Sequence, residues 1–180
     1  GGMDERDEDS RPVKVDLAPF FISKYEMSQA QWARITGTNP SRYQFSPPGH
    51  REGRLPVEKV TWEDSHGVLD NLDLRLPTEA QWEYSCRAGT STPWSTGGDS
   101  ASLVGFANLA DLSAKEFGVK WSSLGEWGAA RDGHVIHAPV GPVAGKPYGF
   151  RPNAFGLYHL HGNVWERCAD QYYEKAYQFQ

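Results

Sequence analysis

Cysteine is scarce in this sequence, with two among 180 residues, and that excludes a small fold stapled by a dense disulfide framework. Cys86 and Cys168 lie 82 residues apart, too far for a CxxC redox or zinc motif. They read either as buried thiols or as one disulfide closing a long loop. Long apolar runs are missing too. The longest lies between Leu17 and Ile22, far short of the ~20 residues that span a bilayer. No charged region followed by an apolar stretch opens the chain in the manner of a signal peptide, so the expectation is a soluble protein with no membrane partner and an open compartment. Excess charge is slight: the formal net charge is −5, and residues 1–10 (GGMDERDEDS) hold five acids and one Arg, leaving about −1 for residues 11–180. There is no basic field for nucleic acid.

What is present is apolar and aromatic material for one core. Hydrophobic residues make 38% and aromatics 13% of the chain, which excludes a disordered polymer, and the length suits one domain. Glycine (19) and proline (12) are abundant, a loop-heavy composition that fits neither a helical bundle nor a regular doubly wound sheet. The expected organisation is an acidic flexible lead-in over residues 1–10 and one α+β domain over 11–180.

Val13-Lys14-Val15-Asp16-Leu17 alternates apolar and polar residues and predicts a half-buried strand in a short twisted sheet. The run from Phe20 to Met27 predicts a second strand. Ser28 can cap a helix over Gln29 to Ile35, with Gly37 as its stop. Residues 38–56 read as a long loop, and Val57 to Val60 as a short extended piece. Thr61 or Asp64 can cap a helix running to Leu72. Thr78, with Gln81 three residues on, forms a capping box for a helix over Glu79 to Arg87 that closes at Gly89. From Thr90 to Pro147 periodicity fails, and so long an irregular stretch needs something to hold it; bound cations that satisfy clustered carbonyls are one physical answer.

Three segments carry the strongest signal: Leu55-Pro56-Val57-Glu58-Lys59-Val60-Thr61-Trp62-Glu63-Asp64; Arg75-Leu76-Pro77-Thr78-Glu79-Ala80-Gln81-Trp82-Glu83-Tyr84 with Cys86-Arg87-Ala88-Gly89-Thr90; and Asn153-Ala154-Phe155-Gly156-Leu157-Tyr158 with Gly162-Asn163-Val164-Trp165-Glu166. In this order, from Arg11 to Tyr173, the chain resembles the formylglycine-generating-enzyme family, also called sulfatase-modifying factors. The resemblance implies a loop-rich variant of the C-type lectin fold with bound calcium. It also implies oxidation of a sulfatase cysteine to formylglycine by molecular oxygen and copper held by two cysteines. In the family those cysteines follow an Arg-Gly-Gly-Ser motif in a C-terminal segment, and the expectation is that this chain is truncated before it. Neither Cys86 nor Cys168 matches the copper positions, so no catalytic residue is assigned.

The resemblance implies one calcium site made by Asn108, the carbonyl of Leu109, Asp132 and the carbonyl of His134; oxygen ligands of this kind suit Ca²⁺. Asn108 and Asp132 as turn residues bonding their own backbone remain the alternative. A second implied site uses Gly162 and Val164 carbonyls and Glu166, but His159 stands where Asn or Asp is expected, and imidazole is a poor calcium ligand. His159 and His161 form an HxH pair without a third metal ligand. No nucleophile elbow or phosphate loop is present.

Trp62, Trp82, Trp165 and Tyr84 are expected to pack the core, while Trp94, Trp121 and Trp127 could equally line a peptide groove. Trp165 matches a residue near the active groove of relatives, so Trp165, Trp94 and Trp127 are the candidate ligand contacts. Arg75 and Arg87 with Glu79, Glu83 and Glu166 read as structural ion pairs. Two functions follow from the resemblance, which implies bacterial relatives that lack the cysteine pair and serve as binding or signalling-associated domains. One is a non-catalytic, calcium-stabilised module that binds or displays a protein or peptide, with self-association through an exposed sheet edge. The alternative is the N-terminal part of an active formylglycine-generating oxidase converting a sulfatase cysteine to formylglycine, with copper bound only if a missing C-terminal segment supplies the cysteine pair.

Overall fold

Three helices form where short polar side chains can satisfy the first free amides. A computed structural model of the chain describes residues 14–44, 53–118, 130–141 and 149–171. Helix α1 spans Gln29–Thr36, α2 Trp62–Asp70 and α3 Glu79–Arg87. Each opens on a reciprocal capping box: Ser28 with Gln31, Thr61 with Asp64, and Thr78 with Gln81. In each, the hydroxyl accepts the third amide while the longer side chain accepts the cap residue's own N–H. Gly37 ends α1 in the left-handed region, at φ 75°. Ala88 closes α3 at φ 49°, one residue before the Gly89 expected from sequence. A 3₁₀ turn, Ser100–Leu103, and a short helix α4, Leu112–Glu116, are the regular pieces found within the stretch expected to be irregular.

The expected sheet does not form among the described residues. Residues 14–17 carry the predicted alternation and 20–27 the strand-favouring side chains, and the chain runs from Lys14 to Ser23 without a turn or bend, yet no strand ladder is made. Isolated bridges join Ser28 to Pro56 and Trp94 to Gly97. A strand exists only with a partner, and no described residue forms a ladder with residues 14–23; Val13 lies outside the described residues. No described helix is long and apolar enough to cross a membrane.

The fold is held instead by side chains that bond to main chain across long sequence distances. Gln29, 1% exposed, donates from Nε2 to the carbonyls of Tyr43 (2.8 Å) and Pro56 (3.2 Å) and accepts from Asn39 (3.0 Å). Its backbone N–H donates to Leu55, so α1 is fixed against both arms of the 38–56 loop. Gly53, at φ 76°, is needed at the contact, because a Cβ there would lie 2.7 Å from that of Ala30. Asn153 donates to the Ser85 carbonyl at 2.8 Å, and the Trp62 indole donates to the Cys168 carbonyl at 3.0 Å. Trp32, Leu55, Val68, Leu103, Phe150 and Leu157 are among the apolar side chains buried between these ties.

The aromatic expectations divide. Trp165 is fully exposed, and Tyr84 and Trp62 are exposed as well, so these three do not fill the core. Arg87 pairs with Glu83 at 2.6 Å as expected, whereas Glu166 accepts the indole N–H of Trp82. Replacing Gln29 with Leu keeps the volume but leaves two carbonyls and the Asn39 amide without their partner. Each such loss costs about 1–3 kcal/mol. We expect Gln29→Leu to lower the free energy of unfolding by about 3 kcal/mol in urea titrations, and an unchanged midpoint would remove Gln29 from this role.

Candidate functional site

A broad groove of about 2160 Å³ runs between the 20–28 segment, α1, α2, residues 72–78 and the 158–169 stretch. Phe20, Ile22, Val60, Leu74, Leu76 and Trp165 are among its lining residues. Pockets for small organic ligands are about 300–1,000 Å³, so one such molecule would leave most of this groove empty. Phe21 and Trp165, both fully exposed, stand on its walls. Trp94 is not part of the lining: its ring meets His161 edge-on at 5.6 Å. Trp121 and Trp127 lie outside the described residues.

Asn163 closes one side of the groove. Its Oδ1 accepts from the Asn108 side chain (2.9 Å) and from Ala138 N–H (2.8 Å). Its Nδ2 donates to Glu26 Oε2 (3.0 Å) and to the Ala138 carbonyl (3.3 Å), and its backbone N–H donates to the Asn108 carbonyl at 2.9 Å. The residue adopts φ 72°, a conformation Asn tolerates better than most side chains. Next to it, a Cβ on Gly162 would lie 2.2 Å from the Asn108 carbonyl oxygen. Burial raises the Glu26 carboxyl well above the usual carboxylate range, the Asn163 bond opposes this, and nearby Glu166 adds to it.

The first proposed cation set is drawn together. Asp132 accepts from Leu109 N–H at 2.9 Å and from His134 N–H at 2.8 Å, and its own N–H donates to Asp111 at 2.6 Å. Asn108 is 4% exposed and donates from Nδ2 to the Ile136 carbonyl at 2.8 Å. Burial is the main reason that the Asp132 carboxyl rises to about 6; the bonds from His134 and Leu109 pull it down, and Asp111 adds to the rise. Asp111, 2% exposed, belongs to this cluster and was missed from sequence. Its signal was its position as N-cap of α4, where it accepts from Ser113. Asp132 and Asp111 offer carboxylate oxygens of the hard type that suits Ca²⁺, but all four oxygens accept backbone N–H groups, the Leu109 carbonyl accepts from Asp111, and the Asp132 bond to His134 is the turn arrangement that the sequence left as the alternative.

The second set is arranged differently. The Gly162 carbonyl accepts from Val164 within its own loop. His159, 3% exposed, packs edge-on against Phe150 at 4.5 Å, and burial lowers its pKa to about 4, with His134 contributing. A neutral imidazole against a phenyl ring and a carboxylate bonded to the Trp82 indole do not make an oxygen cage, so Gly162, Val164 and Glu166 fit Ca²⁺ poorly. Among the described residues no three His, Cys, Asp or Glu side chains gather as a metal cluster.

Both cysteines are free thiols, which resolves the alternatives left by the sequence. Ser95 N–H approaches His161 Nε2 at 3.2 Å, with the Ser95 hydroxyl at 2.9 Å. A backbone amide can only donate, so Nε2 accepts and Nδ1 carries the proton. Nδ1 faces Cys86 Sγ at 3.4 Å, and that thiol donates to the Leu160 carbonyl at 3.5 Å. Burial, with Glu83 and Glu166 nearby, pushes the Cys86 thiol up to about 12. Cys168, half-buried, is raised to about 11 by burial and by Asp170, Glu79 and Glu166.

Comparison with known proteins agrees with the sequence resemblance. Residues 1–180 match the family described as "Sulfatase-modifying factor enzyme 1-like domain". The chain is 35% identical over 159 residues to the formylglycine-generating enzyme of Mus musculus, covering 87% of this chain and 35% of that protein. It is 32% identical over 153 residues to the formylglycine-generating enzyme of Streptomyces coelicolor, covering 85% of this chain and 41% of that protein. The chain thus spans less than half the length of these relatives. Among solved structures, Treponema denticola variable protein 1 aligns with a TM-score of 0.53 at 22% identity, over 80% of this chain and 61% of that one. That likeness shows a shared fold.

Replacing Asn163 with Asp turns two donors into acceptors that face the Glu26 carboxyl and the Ala138 carbonyl. Because buried groups lose their partners and a charge is added, we expect Asn163→Asp to cost about 3 kcal/mol or more at pH 7 by chemical denaturation. Parent-like stability would show that the amide does not clamp these loops.

Proposed function

The chain belongs to the sulfatase-modifying-factor family, and from that premise we propose that residues 1–180 act as a non-catalytic, calcium-stabilised module that binds or displays polypeptide on a C-type-lectin-like scaffold. The observation that carries this reading is the groove: it is more than twice the volume of a small-molecule pocket, and a fully exposed Trp165 stands in it. Exposed aromatics in a broad apolar depression mark protein-interaction surfaces.

The thiol environments give neither Cys86 nor Cys168 a part in copper chemistry. The family's oxidation requires two cysteines as a soft, thiolate pair for copper. Here Cys86 is tied to His161 and Leu160, while Cys168 lies beside the 62–64 turn of α2 and is flanked by carboxylates. A thiol raised to about 12 is almost wholly protonated at neutral pH. It becomes reactive only as pH rises toward that value. We expect Cys86 to react with a disulfide reagent at pH 8 at least a hundredfold more slowly than a free thiol, and to match it once the protein is unfolded in guanidinium. Rapid labelling of native Cys86 would contradict the locked environment.

Ca²⁺ is assigned to Asn108, Leu109, Asp132 and His134, with Asp111 beside them. There it would balance two carboxylates that have no cationic side chain bonded to them in the described cluster. After chelation, added calcium should raise the thermal midpoint by several degrees, and Asp132→Asn should abolish the rise; a midpoint indifferent to calcium in the parent protein would overturn the assignment. The binding reading itself is tested with a cysteine-containing sulfatase-type peptide, supplied with copper and oxygen and followed with an aldehyde-specific probe. The expected result is no aldehyde. Turnover lost on replacing Cys86 or Cys168 would instead establish the oxidase.

A further inference from the structure

The stretch from Glu166 to Asp170 is tied down residue by residue. Glu166 accepts the Trp82 indole N–H, and Arg167 Nε donates to the Val60 carbonyl at 3.1 Å. The Cys168 carbonyl accepts from the Trp62 indole at 3.0 Å, and Ala169 N–H donates to the Pro77 carbonyl at 2.8 Å. Asp170 accepts the Glu79 N–H at 2.5 Å. All five partners lie just before or within the first turn of α2 and α3. The position of Glu166, the residue that the family resemblance assigns to the second calcium set, is therefore fixed by direct bonds from the chain itself.

The other members of that set are committed as well. Gly162 N–H donates to the His159 carbonyl at 3.0 Å, and the Gly162 carbonyl accepts Val164 N–H at 3.0 Å, which closes the turn on itself. His159 adopts φ 61°, and its buried ring lies edge-on to Phe150. The side chain offers ring nitrogen where a hard cation requires carboxylate or carbonyl oxygen. Glu26, whose carboxyl lies near that of Glu166, is bonded through Oε2 to Asn163. Its Oε1, buried and without a partner among the described residues, adds one oxygen and no cage. A buried carboxylate needs a counter-charge or a hydrogen-bond donor, and the indole N–H supplies the second as a charge-assisted bond.

We propose that the corner formed by His159, Gly162, Val164 and Glu166 is closed without a cation: the Trp82 indole stands at the Glu166 carboxylate where a metal ion would, and the His159 ring on Phe150 fills the place of an oxygen ligand. The inference goes beyond the binding function proposed above and is independent of the calcium assigned to the Asp132 cluster. Its consequence is that the ties of residues 166–170 to α2 and α3 do not respond to chelation.

The test counts bound calcium by equilibrium dialysis of the whole 180-residue protein and of its Glu166→Gln variant, at about 5 mM calcium, above the range of weak protein sites. The ion count should be the same in both. The Glu166→Gln midpoint should lie within about 2 °C of the parent's, because the amide oxygen still accepts the indole N–H. Trp82→Phe, which removes the donor, should lower the midpoint by several degrees, equally in calcium and in chelator. One ion fewer in Glu166→Gln than in the parent would overturn the proposal. So would a Glu166→Gln stability loss seen in calcium and absent in chelator, or a Trp82→Phe midpoint equal to the parent's. No ion in either protein would agree with a cation-free corner and fail the Asp132 assignment, so the two are told apart.

Discussion

The loops that carry Glu26, Asn108 and Ala138 are held in one arrangement by the amide of Asn163. Its two donors and its carbonyl oxygen reach Glu26, Asn108 and Ala138, which come from three separate stretches of chain. In a sheet, that work is divided among many repeated main-chain bonds. Here one planar group does it, and the geometry is correspondingly strict: Asn163 takes a left-handed backbone conformation, and Gly162 must lack a side chain because the Asn108 carbonyl occupies the space. The Asp132 cluster depends on the same clamp, since Asn108 bonds to Asn163 through both its side chain and its carbonyl.

Helices were legible in the sequence because their determinants are local. Ser28 with Gln31, and Thr78 with Gln81, are three residues apart, and a capping box needs nothing from the rest of the chain. Thr61 and Asp64 were read as alternative caps, whereas they act together, one as cap and the other as its N3 partner. The strands were not decided locally. The alternation of residues 13–17 and the β-branched and aromatic content of 20–27 express suitability for a pleated surface, but pairing depends on a second segment whose position no short window contains. The extended run was legible, and its lack of a ladder partner among the described residues was not.

The site shows the same division. The association of Asn108 and Leu109 with Asp132 and His134 followed from the family resemblance, and the structure brings those segments together through Asp132. Asp111 was hidden because an Asp ahead of a short helix signals a cap and nothing more; its second role, accepting from Asp132, is a long-range contact. Trp165 was read both as core and as ligand contact. Its neighbours Val164 and Glu166 are turned toward the loop and the Trp82 indole, and the intervening ring is left in solvent.

That placement bears on how a loop-rich scaffold can hold an exposed ring in a fixed position. An exposed aromatic ring on a mobile loop loses much of its contact energy to the ordering of the loop. Trp165 avoids this because the residues on either side are already committed: Asn163 to three other segments, and Glu166 to Trp82. The ordering cost is met on folding, by groups that do not themselves need to touch a ligand. Such a division also separates the framework from the exposed groove lining. The clamps act largely through main-chain atoms of the residues they hold, as Gln29 does at Tyr43 and Pro56 and Asn153 does at Ser85. The side chains of the clamped residues are therefore free of that duty, and the groove's chemistry can change without releasing the loops that shape it.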